Sequence, residues 1–236
     1  MTSPAPILFI LGAGPKVGAA VAKTFLNKGY RVASASRSLP DERKNDNELS
    51  LKLDLSKPED VPAAFAKVKS AFGSAPSVVI HNAYSNHPGS PEDPLSNVKI
   101  DEYITDINVN STSVLIAAKS AVEGFKTLPS ATKKTFIFTG NALAVMALPP
   151  LLTFGMAKSA GAHLIMSAAK AYKGHGYRFY FGDERNADGS PCVKGVDGPA
   201  HAEAYLHLAE NDKQEQWYYT FVKGSPDYVD FGAPKL

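Results

Sequence analysis

The sequence has few of the residues that would place it in a specialised class of protein. Its single cysteine, Cys192, excludes an intrachain disulfide and a cysteine-rich metal site. Its 25 basic and 23 acidic residues nearly cancel, so charge gives no argument for nucleic acid or an anionic membrane as a partner. No apolar run approaches the length of a membrane span, and the first residues lack the basic segment of a signal peptide. We therefore expect a cytoplasmic protein that binds a small-molecule substrate.

Metal sites are also not indicated, because the six histidines show no spacing typical of metal ligands. What is present is the composition of an ordinary folded domain, with 44% hydrophobic residues over 236 positions. No repeat or low-complexity segment divides the chain. We expect a single domain over residues 1–236, with residues 1–5 as a flexible N-terminus.

Short apolar runs alternate with segments of helical spacing along the whole chain. The pattern predicts strands over residues 6–11, 30–36, 49–53, 77–81, 135–139, 177–181 and 217–222, and helices over 17–28, 58–72, 101–125, 152–172 and 200–210. Such alternation is typical of parallel βαβ units with right-handed crossovers. We therefore expect an α/β fold, a Rossmann-type doubly wound parallel sheet of about seven strands with helices on both faces. Ligands of such sheets bind at the carboxyl ends of the strands.

A glycine-rich turn joins the first predicted strand to the first predicted helix. Gly12, Gly14 and Gly18 form the cluster, and Lys16 and Val17 lie within it. Glycines at this place let the backbone approach a pyrophosphate, whose charge is met by the free N–H groups of the helix N-terminus. The strand before the cluster and the helix after it are the context that this motif requires. The turn predicts a dinucleotide site.

The end of the second predicted strand indicates which dinucleotide binds. An NAD site usually places an acidic side chain there to accept a hydrogen bond from the ribose. This chain instead has Ser36 and Arg37, a hydroxyl and a permanent cation suited to a 2′-phosphate, and Lys16 adds a second cation. The sequence therefore favours NADP(H). The alternative is that Arg37 is a solvated loop residue.

With these pieces in place, the chain resembles the short-chain dehydrogenase/reductase family over nearly its whole length. The glycine turn is similar to that of the family, although Lys16 stands where another glycine is usual. Asp54 and Leu55 resemble the segment in which an acidic residue contacts adenine. Asn82 and Ala83 lie in a segment that resembles the family's Asn-Asn-Ala-Gly.

The resemblance also implies a catalytic set, and here the chain departs from the family. Lys158 matches the lysine that binds the nicotinamide ribose, and Asn108 matches the helix asparagine that holds a water of the proton relay. Phe154 stands where the family has its proton-donating tyrosine, and Asn141 stands where it has a serine. A phenyl ring cannot donate a proton, and loss of a general acid typically costs about 10²–10⁴-fold in rate. Asn141 could still polarise an oxygen through its amide.

Two places could replace the missing tyrosine. Tyr84 stands where the family has a glycine, and its side chain either donates a proton or packs over the nicotinamide ribose. Asp183, Glu184 and Arg185 follow the sixth predicted strand, where the family has Pro-Gly. Glu184 is a candidate acid there, although a local ion pair that positions the loop is the alternative.

Two histidines lie in loops that could border a pocket, His87 and His201, and both are expected to be exposed. The family's substrate-covering helices are reduced here to a loop and one helix over 200–210. The family commonly pairs through its two long helices, here 101–125 and 152–172, so the resemblance implies a homo-oligomer, either a dimer or a tetramer.

The leading hypothesis is an NADP(H)-dependent oxidoreductase with a non-standard active site, acting on a small organic carbonyl or unsaturated compound. Two alternatives stay open. One is a redox-neutral isomerase or cyclase on the same fold, and the other is a non-enzymatic NADP(H)-responsive binding protein.

Overall fold

The computed structural model describes residues 5–232 and contains one eight-stranded sheet. Its strands are β1 (Ile7–Leu11), β2 (Arg31–Ser36), β3 (Glu42–Arg43), β4 (Glu48–Lys52), β5 (Val78–His81), β6 (Lys134–Thr139), β7 (Tyr177–Arg185) and β8 (Tyr218–Val222). Their order is β3-β4-β2-β1-β5-β6-β7-β8, and every pair is parallel except β3 with β4. The expected Rossmann-type parallel sheet is confirmed. The flexible terminus expected over residues 1–5 lies almost entirely outside the described residues.

The sheet has one strand more than the seven predicted. It is β3, a two-residue edge strand that the sequence pattern did not indicate. Glu42 and Arg43 are both exposed and charged, so they give no apolar signal. They pair with Leu49 and Ser50 of β4. A very short, charged and antiparallel strand at this position protects the open edge of the sheet from pairing with another chain.

Within the described residues, six α-helices cover the sheet. They are α1 (Val17–Asn27), α2 (Val61–Phe72), α3 (Ile100–Ile107), α4 (Ser113–Phe125), α5 (Leu152–Tyr172) and α6 (Gly198–Glu210). The single helix predicted over 101–125 is therefore interrupted, because a π-helical segment, Asn108–Thr112, separates α3 from α4. Such segments are frequent at functional sites. The buried side chain of Asn110 lies in this segment and donates to the carbonyls of Ser85 and Asp106.

The core lies on both faces of the sheet, as the continuous apolar run of β1 predicts. Ile7, Phe9 and Leu11 pack in the cluster that includes α2, α4 and α5. Leu8 and Ile10 point the other way, into the cluster that includes α1 and α6. All five side chains are at most 2% exposed. The carboxyl end of β1 is thereby held rigidly where the glycine turn begins.

Helix α6 packs against α1, on the face of the sheet opposite to α5. Its buried residues, among them Ala202, Tyr205 and Leu208, pack in the cluster that contains α1. Gly198 lies against the turn before α1, where an added Cβ would be 2.8 Å from the Lys16 carbonyl oxygen. Only the connection over residues 186–197 remains between β7 and α6 to border a pocket.

We predict that a methyl group at Gly161 disrupts the packing of α5 on β6. A Cβ there would lie 2.4 Å from Cε1 of Phe138, whereas one at Gly155 of the same helix would meet only Leu143, at 3.9 Å. Gly161→Ala should lower the free energy of unfolding by roughly 1–3 kcal/mol. Gly155→Ala should leave it unchanged or raise it by up to about 1 kcal/mol, since alanine favours helix. Urea denaturation measures both free energies. An equal rise in the free energy of unfolding for the two variants would contradict this packing.

Candidate active site

The three glycines of the turn serve different purposes. Gly12 has a φ of +95°, and a Cβ there would lie 2.3 Å from the backbone nitrogen of Ala83. A Cβ at Gly18 would lie 2.6 Å from the Cα of Ala13, so both positions exclude a side chain. A Cβ at Gly14 would meet nothing within 4 Å. The turn is therefore closely packed at its two ends and open at its middle, as a pyrophosphate site requires.

Asn82 connects this turn to β6. Its Nδ2 donates to the Gly12 carbonyl oxygen at 2.8 Å, and its Oδ1 accepts from Oγ1 of Thr139 at 3.0 Å. The N–H groups of Asn82 and Ala83 both donate to the carbonyl oxygen of Leu11. The segment after β5 thus holds the start of the glycine turn in position.

The cations predicted for a 2′-phosphate lie exposed around this end of the sheet. Arg37 directly follows β2, and within residues 5–232 its side chain makes no hydrogen bond or ion pair. Ser36 shares a 3.3 Å hydroxyl contact with Ser38. Lys16 is also exposed, on the turn before α1, while Val17 is buried in the core, so only its backbone could contact a phosphate.

Asp54 and Leu55 follow β4. Oδ1 of Asp54 accepts from the backbone N–H and the hydroxyl of Ser56, at 3.0 and 2.9 Å. Leu55 is buried in the core. The half-buried carboxylate thus stabilises its own turn, and its contact with adenine stays a prediction.

Lys158 is buried at the carboxyl end of β6. Its Nζ donates to the Thr139 carbonyl oxygen at 2.8 Å and lies 4.1 Å from the ring centroid of Phe138. It also lies 5.4 Å from the ring of Phe154, one helical turn earlier. Loss of hydration lowers the pKa of Lys158 to about 7, and the nearby carboxylate of Asp183 opposes this effect. The site therefore contains an amine that can lose its proton near neutral pH.

Tyr84 and Phe154, which the sequence singled out separately, lie together. Their ring centroids are 6.0 Å apart. Phe154 is buried, whereas Tyr84 is 69% exposed. Tyr84 thus packs against Phe154, whose ring in turn lies beside Lys158. This geometry fits packing against a ligand as well as it fits proton donation by Tyr84.

Asn141 has only part of its side chain free. Its Oδ1 accepts from the N–H of Leu143 at 3.1 Å and so caps the short 3₁₀ helix Ala142–Ala144. The Nδ2 group remains to donate to a substrate oxygen. Asn108 lies in the π-helical segment, and its Nδ2 donates to the Ser56 carbonyl oxygen at 3.1 Å. That contact fixes the junction of α3 and α4, and the water-holding role of Asn108 stays a prediction.

The charged triplet after Gly182 is the buried end of β7, not a loop, which corrects the sequence prediction. The ion pair considered there is present. Nε of Arg185 lies 2.6 Å from Oδ2 of Asp183, and the Tyr218 hydroxyl donates to the same oxygen at 3.0 Å. Burial raises the pKa of Asp183 to about 6, against the opposing effect of Arg185. A strand can end here because the charges of Asp183 and Arg185 are paired inside the protein.

Glu184 points to the opposite face of β7 from Asp183, because side chains alternate along a strand. Its Oε2 accepts from the N–H of Asp197 at 2.8 Å and lies 3.4 Å from Nδ1 of His201. His201 is not an exposed loop residue as expected, but is 2% exposed in the first turn of α6. Burial lowers the pKa of His201 to about 4. Glu184 thus supports the start of α6, which argues against it as the replacement acid.

The comparisons with known proteins agree with this geometry. The short chain dehydrogenase family matches residues 6–180. The chain belongs to this family. The short chain dehydrogenase/reductase dmxR12 of Cryptosporiopsis sp. (strain 8999) is 40% identical over 240 residues, which cover 97% of this chain and 96% of that protein.

Solved structures show the same fold at low identity. A metagenomic short-chain oxidoreductase in complex with NADP has a TM-score of 0.79 and 19% identity, covering 94% of this chain and 99% of that one. A 3-ketoacyl-(acyl-carrier-protein) reductase from Brucella melitensis complexed with NADH has a TM-score of 0.77 and 20% identity, covering 94% and 98%. The chain is thus similar in fold both to a protein that binds NADP and to one that binds NADH.

One polar cluster of this short chain dehydrogenase was not predicted from the sequence. Asp106, in α3, is fully buried and accepts hydrogen bonds from Ser85, His87 and Thr153. His87 was expected to be exposed, but its side chain is 37% exposed and its Nδ1 lies 2.8 Å from this carboxylate. The only signal in the sequence is an acidic residue two positions before Asn108, within a helix that packs on the sheet.

Over residues 5–232, no helix has the length and apolar character needed to cross a bilayer. The same residues contain no group of His, Cys, Asp and Glu side chains that could hold a metal ion.

We predict that Lys158→Met stabilises this short chain dehydrogenase near neutral pH. Between pH 7 and the ordinary lysine pKa of 10.5, the unfolded chain binds a proton that the folded chain does not, so wild-type stability rises with pH. The variant has no amine to bury, so it does not carry the cost of deprotonating Lys158 on folding. Its unfolding free energy at pH 7 should exceed the wild type's by roughly 2–5 kcal/mol. The difference should shrink towards pH 10. Denaturant unfolding across this range measures it.

The matched control is Lys170→Met, at an exposed position of the same helix. Its unfolding free energy should stay within about 1 kcal/mol of the wild type's at every pH. A Lys158→Met variant that is less stable than the wild type at pH 7 would show that the buried amine is not a cost to folding.

Proposed function

We propose that this short chain dehydrogenase is an NADP(H)-dependent oxidoreductase with non-standard proton-transfer residues, acting on a small organic carbonyl or unsaturated compound. One observation carries the proposal, a continuous hydrogen-bonded path from the glycine turn to the buried lysine. It runs from the Gly12 carbonyl through Asn82 to Thr139, whose carbonyl oxygen accepts from Lys158. The phosphate end and the reacting end of a dinucleotide site are thus built as one unit.

The residues present fit a phosphorylated dinucleotide. The open space at Gly14 and the N-terminus of α1 suit the pyrophosphate, and Arg37 and Lys16 are cations without ion-pair partners within the described residues. Lys158 would hold the nicotinamide ribose. When bound, NADPH supplies a hydride to an unsaturated carbon, which leaves the π electron pair on the substrate and the cofactor as NADP⁺. The structural relatives do not decide between NADP and NAD, so the preference rests on Arg37 and Lys16.

The other end of the site departs from the family. Phe154 has no hydroxyl, so the phenol of an ordinary family member is missing beside Lys158. Asn141 retains an amide N–H₂ that can donate to a substrate oxygen, and such donors are worth about 10²–10³-fold in rate. The apolar rings of Tyr84 and Phe154 favour a substrate with an apolar or planar part.

The loss of the phenol also favours a second candidate, a redox-neutral isomerase or cyclase in which the nucleotide shapes the pocket. That enzyme would need the buried Lys158 and the amide of Asn141, but no hydride transfer. A purely NADP(H)-responsive binding protein would need neither.

We further propose a cytoplasmic homo-oligomer, a dimer or tetramer, paired through the helices of the 101–125 region and α5. Ile104, Leu115 and Met156 on these helices are between 48% and 53% exposed. Burial of such side chains between copies of the chain would remove apolar surface from water. Sedimentation velocity tests this, and a monomer at micromolar concentration would overturn it.

We expect Arg37→Ala to abolish the preference for NADPH over NADH. Loss of a charge-assisted contact to a 2′-phosphate should raise the dissociation constant for NADPH about 10–100-fold. The dissociation constant for NADH, which lacks that phosphate, should change less than about twofold. Titration followed by nicotinamide fluorescence measures both constants.

The control for this experiment is Lys126→Ala, which removes an exposed cation that follows α4. It should leave both constants unchanged. Equal affinity of wild type and Arg37→Ala for NADPH would overturn the assignment of NADP(H) to Arg37.

Phe154→Tyr should restore the phenol at the family position and raise the rate of NADPH oxidation with carbonyl substrates. The wild type is expected to oxidise NADPH with at least one compound of a panel of aryl ketones, aldehydes and conjugated enones, and the variant should do so at least about 10-fold faster. Absorbance at the NADPH band measures both. If the wild type oxidises NADPH with no member of the panel and the variant does, the native protein is not a reductase.

A further inference from the structure

The feature of interest is the amine of Lys158, which is 3% exposed and lies beside the ring of Phe154. When it is protonated, Nζ carries three N–H bonds. Within residues 5–232 one of them is used, for the Thr139 carbonyl oxygen at 2.8 Å. The ring centroids of Phe138 and Phe154 lie 4.1 and 5.4 Å from Nζ. An aromatic face attracts a cation without taking its proton, so two N–H bonds remain for ligands.

Lys158 and Tyr84 both contact the ring that stands in place of the family's phenol, but they are held differently. Lys158 lies four residues after Phe154 in α5, on the same side of the helix, and its hydrogen bond fixes the amine. Tyr84 is 69% exposed, and no hydrogen bond within the described residues fixes its hydroxyl. Lys158 is therefore the better positioned of the two to act where the phenol is missing.

The acceptor of Lys158 and the free amide of Asn141 lie on one short segment. Thr139 ends β6, and Asn141 follows it by two residues, which span at most about 7 Å. The Tyr218 hydroxyl donates to the Asn141 carbonyl oxygen at 3.2 Å, which fixes the far end of this segment. The amine and the amide are thus held close together at the carboxyl end of β6.

The ionisable groups around Lys158 leave its ammonium without a counter-ion in contact. Asp183 acts on it from β7, but the charge of Asp183 is paired with Arg185. His81 lies on β5, and burial lowers its pKa to about 3, so it is neutral near pH 7. Asp106, on α3, has donors of its own on both oxygens. Loss of hydration therefore dominates and lowers the pKa of Lys158 to about 7, close to the value that suits a general acid at neutral pH.

We propose that Lys158 itself is the proton donor of this enzyme, in place of the phenol that Phe154 cannot supply. The proposal rests on the proposed oxidoreductase function. The substrate carbonyl oxygen would accept from Nδ2 of Asn141 and from one N–H of the ammonium. The third N–H would remain for the nicotinamide ribose.

The proton transfer balances without any further reactant. As hydride adds to the carbonyl carbon, the π electron pair moves to the carbonyl oxygen. One N–H bond of the Lys158 ammonium then breaks, its electron pair stays on Nζ, and an O–H bond forms on the substrate. The neutral amine regains a proton from solvent after the alcohol has left.

Arginine at this position separates proton donation from ribose binding. A guanidinium keeps the charge and the N–H donors, but it does not give up a proton near neutral pH. With the carbonyl compound that the wild type reduces best, Lys158→Arg should lower kcat about 10²–10⁴-fold. Its dissociation constant for NADPH should stay within about fivefold of the wild type's. The matched control is Lys170→Arg, at an exposed position of the same helix, which should change neither quantity.

A double variant separates a proton donor from a lysine that only positions the nucleotide. In Lys158→Arg/Phe154→Tyr the restored phenol can donate again, so most of the lost kcat should return. The kcat of the wild type should also fall about tenfold for each pH unit above the midpoint, because reduction needs the ammonium form. If Lys158→Arg fails to fold, Lys158→Met takes its place in both comparisons.

A further measurement needs neither nucleotide nor turnover. Titration of the Lys158 amine by ¹⁵N NMR in the nucleotide-free wild type should give a midpoint near pH 7, and Lys158→Met identifies its signal. A midpoint near the ordinary lysine value of 10.5 would overturn the role of Lys158 as proton donor.

The outcomes distinguish the two proposals. A wild type that oxidises NADPH, with Lys158→Arg equally active, overturns the role of Lys158 and leaves the oxidoreductase proposal standing. The same follows if kcat is lost in Lys158→Arg but does not return in the double variant. A wild type that oxidises NADPH with no carbonyl compound overturns the oxidoreductase proposal itself, whatever the midpoint of the amine.

Discussion

The arrangement of the site depends on the two hydrogen bonds of the Asn82 side chain. One secures the backbone of the glycine turn, and the other secures Thr139 at the end of β6. Three adjacent parallel strands, β5, β1 and β6, end side by side here, and their carboxyl ends would otherwise be joined only through the sheet. An amide can make this link because it both donates and accepts, which a carboxylate of the same size cannot do. Lys158 is placed by the same link, since its partner is the carbonyl of Thr139.

Lys158, Asp183 and Asp106 are buried ionisable groups, and each is stabilised differently. Lys158 has a carbonyl and two aromatic rings, so it keeps its charge only weakly. Asp183 has a guanidinium on one oxygen, while its Oδ1 is buried without a partner among the described residues. Asp106 has donors on both oxygens. The more hydrogen-bond partners a buried charged group has, the more firmly its charge can be kept inside a protein.

Much of the fold could be predicted from the sequence because its signals are local. The apolar runs of the buried strands and the glycine at the end of β1 need no knowledge of distant residues. The edge strand β3 could not be found, because two exposed charged residues carry no apolar pattern. The end of β7 was misjudged for a related reason. Asp183, Glu184 and Arg185 resemble a polar loop unless one knows that Arg185, Tyr218 and Asp197 supply their partners.

The site was predictable to the same extent. The glycine turn, Arg37 and Lys158 follow from position relative to strands. The contacts of Asp106 join residues 21 and 47 positions away, and no spacing in a single sequence indicates such contacts. The partners of Glu184 could not be predicted either, because the face of the sheet on which its side chain lies depends on how far β7 continues.

Phe154 differs from a tyrosine by one oxygen atom, and its ring is already enclosed by the side of α5, Lys158 and Tyr84. Exchange of the two residues therefore leaves the volume of the site almost unchanged. Folding cannot distinguish them strongly, so only chemistry can select between them. A scaffold with this property can lose or regain a phenol in a single mutational step without passing through an unstable intermediate sequence.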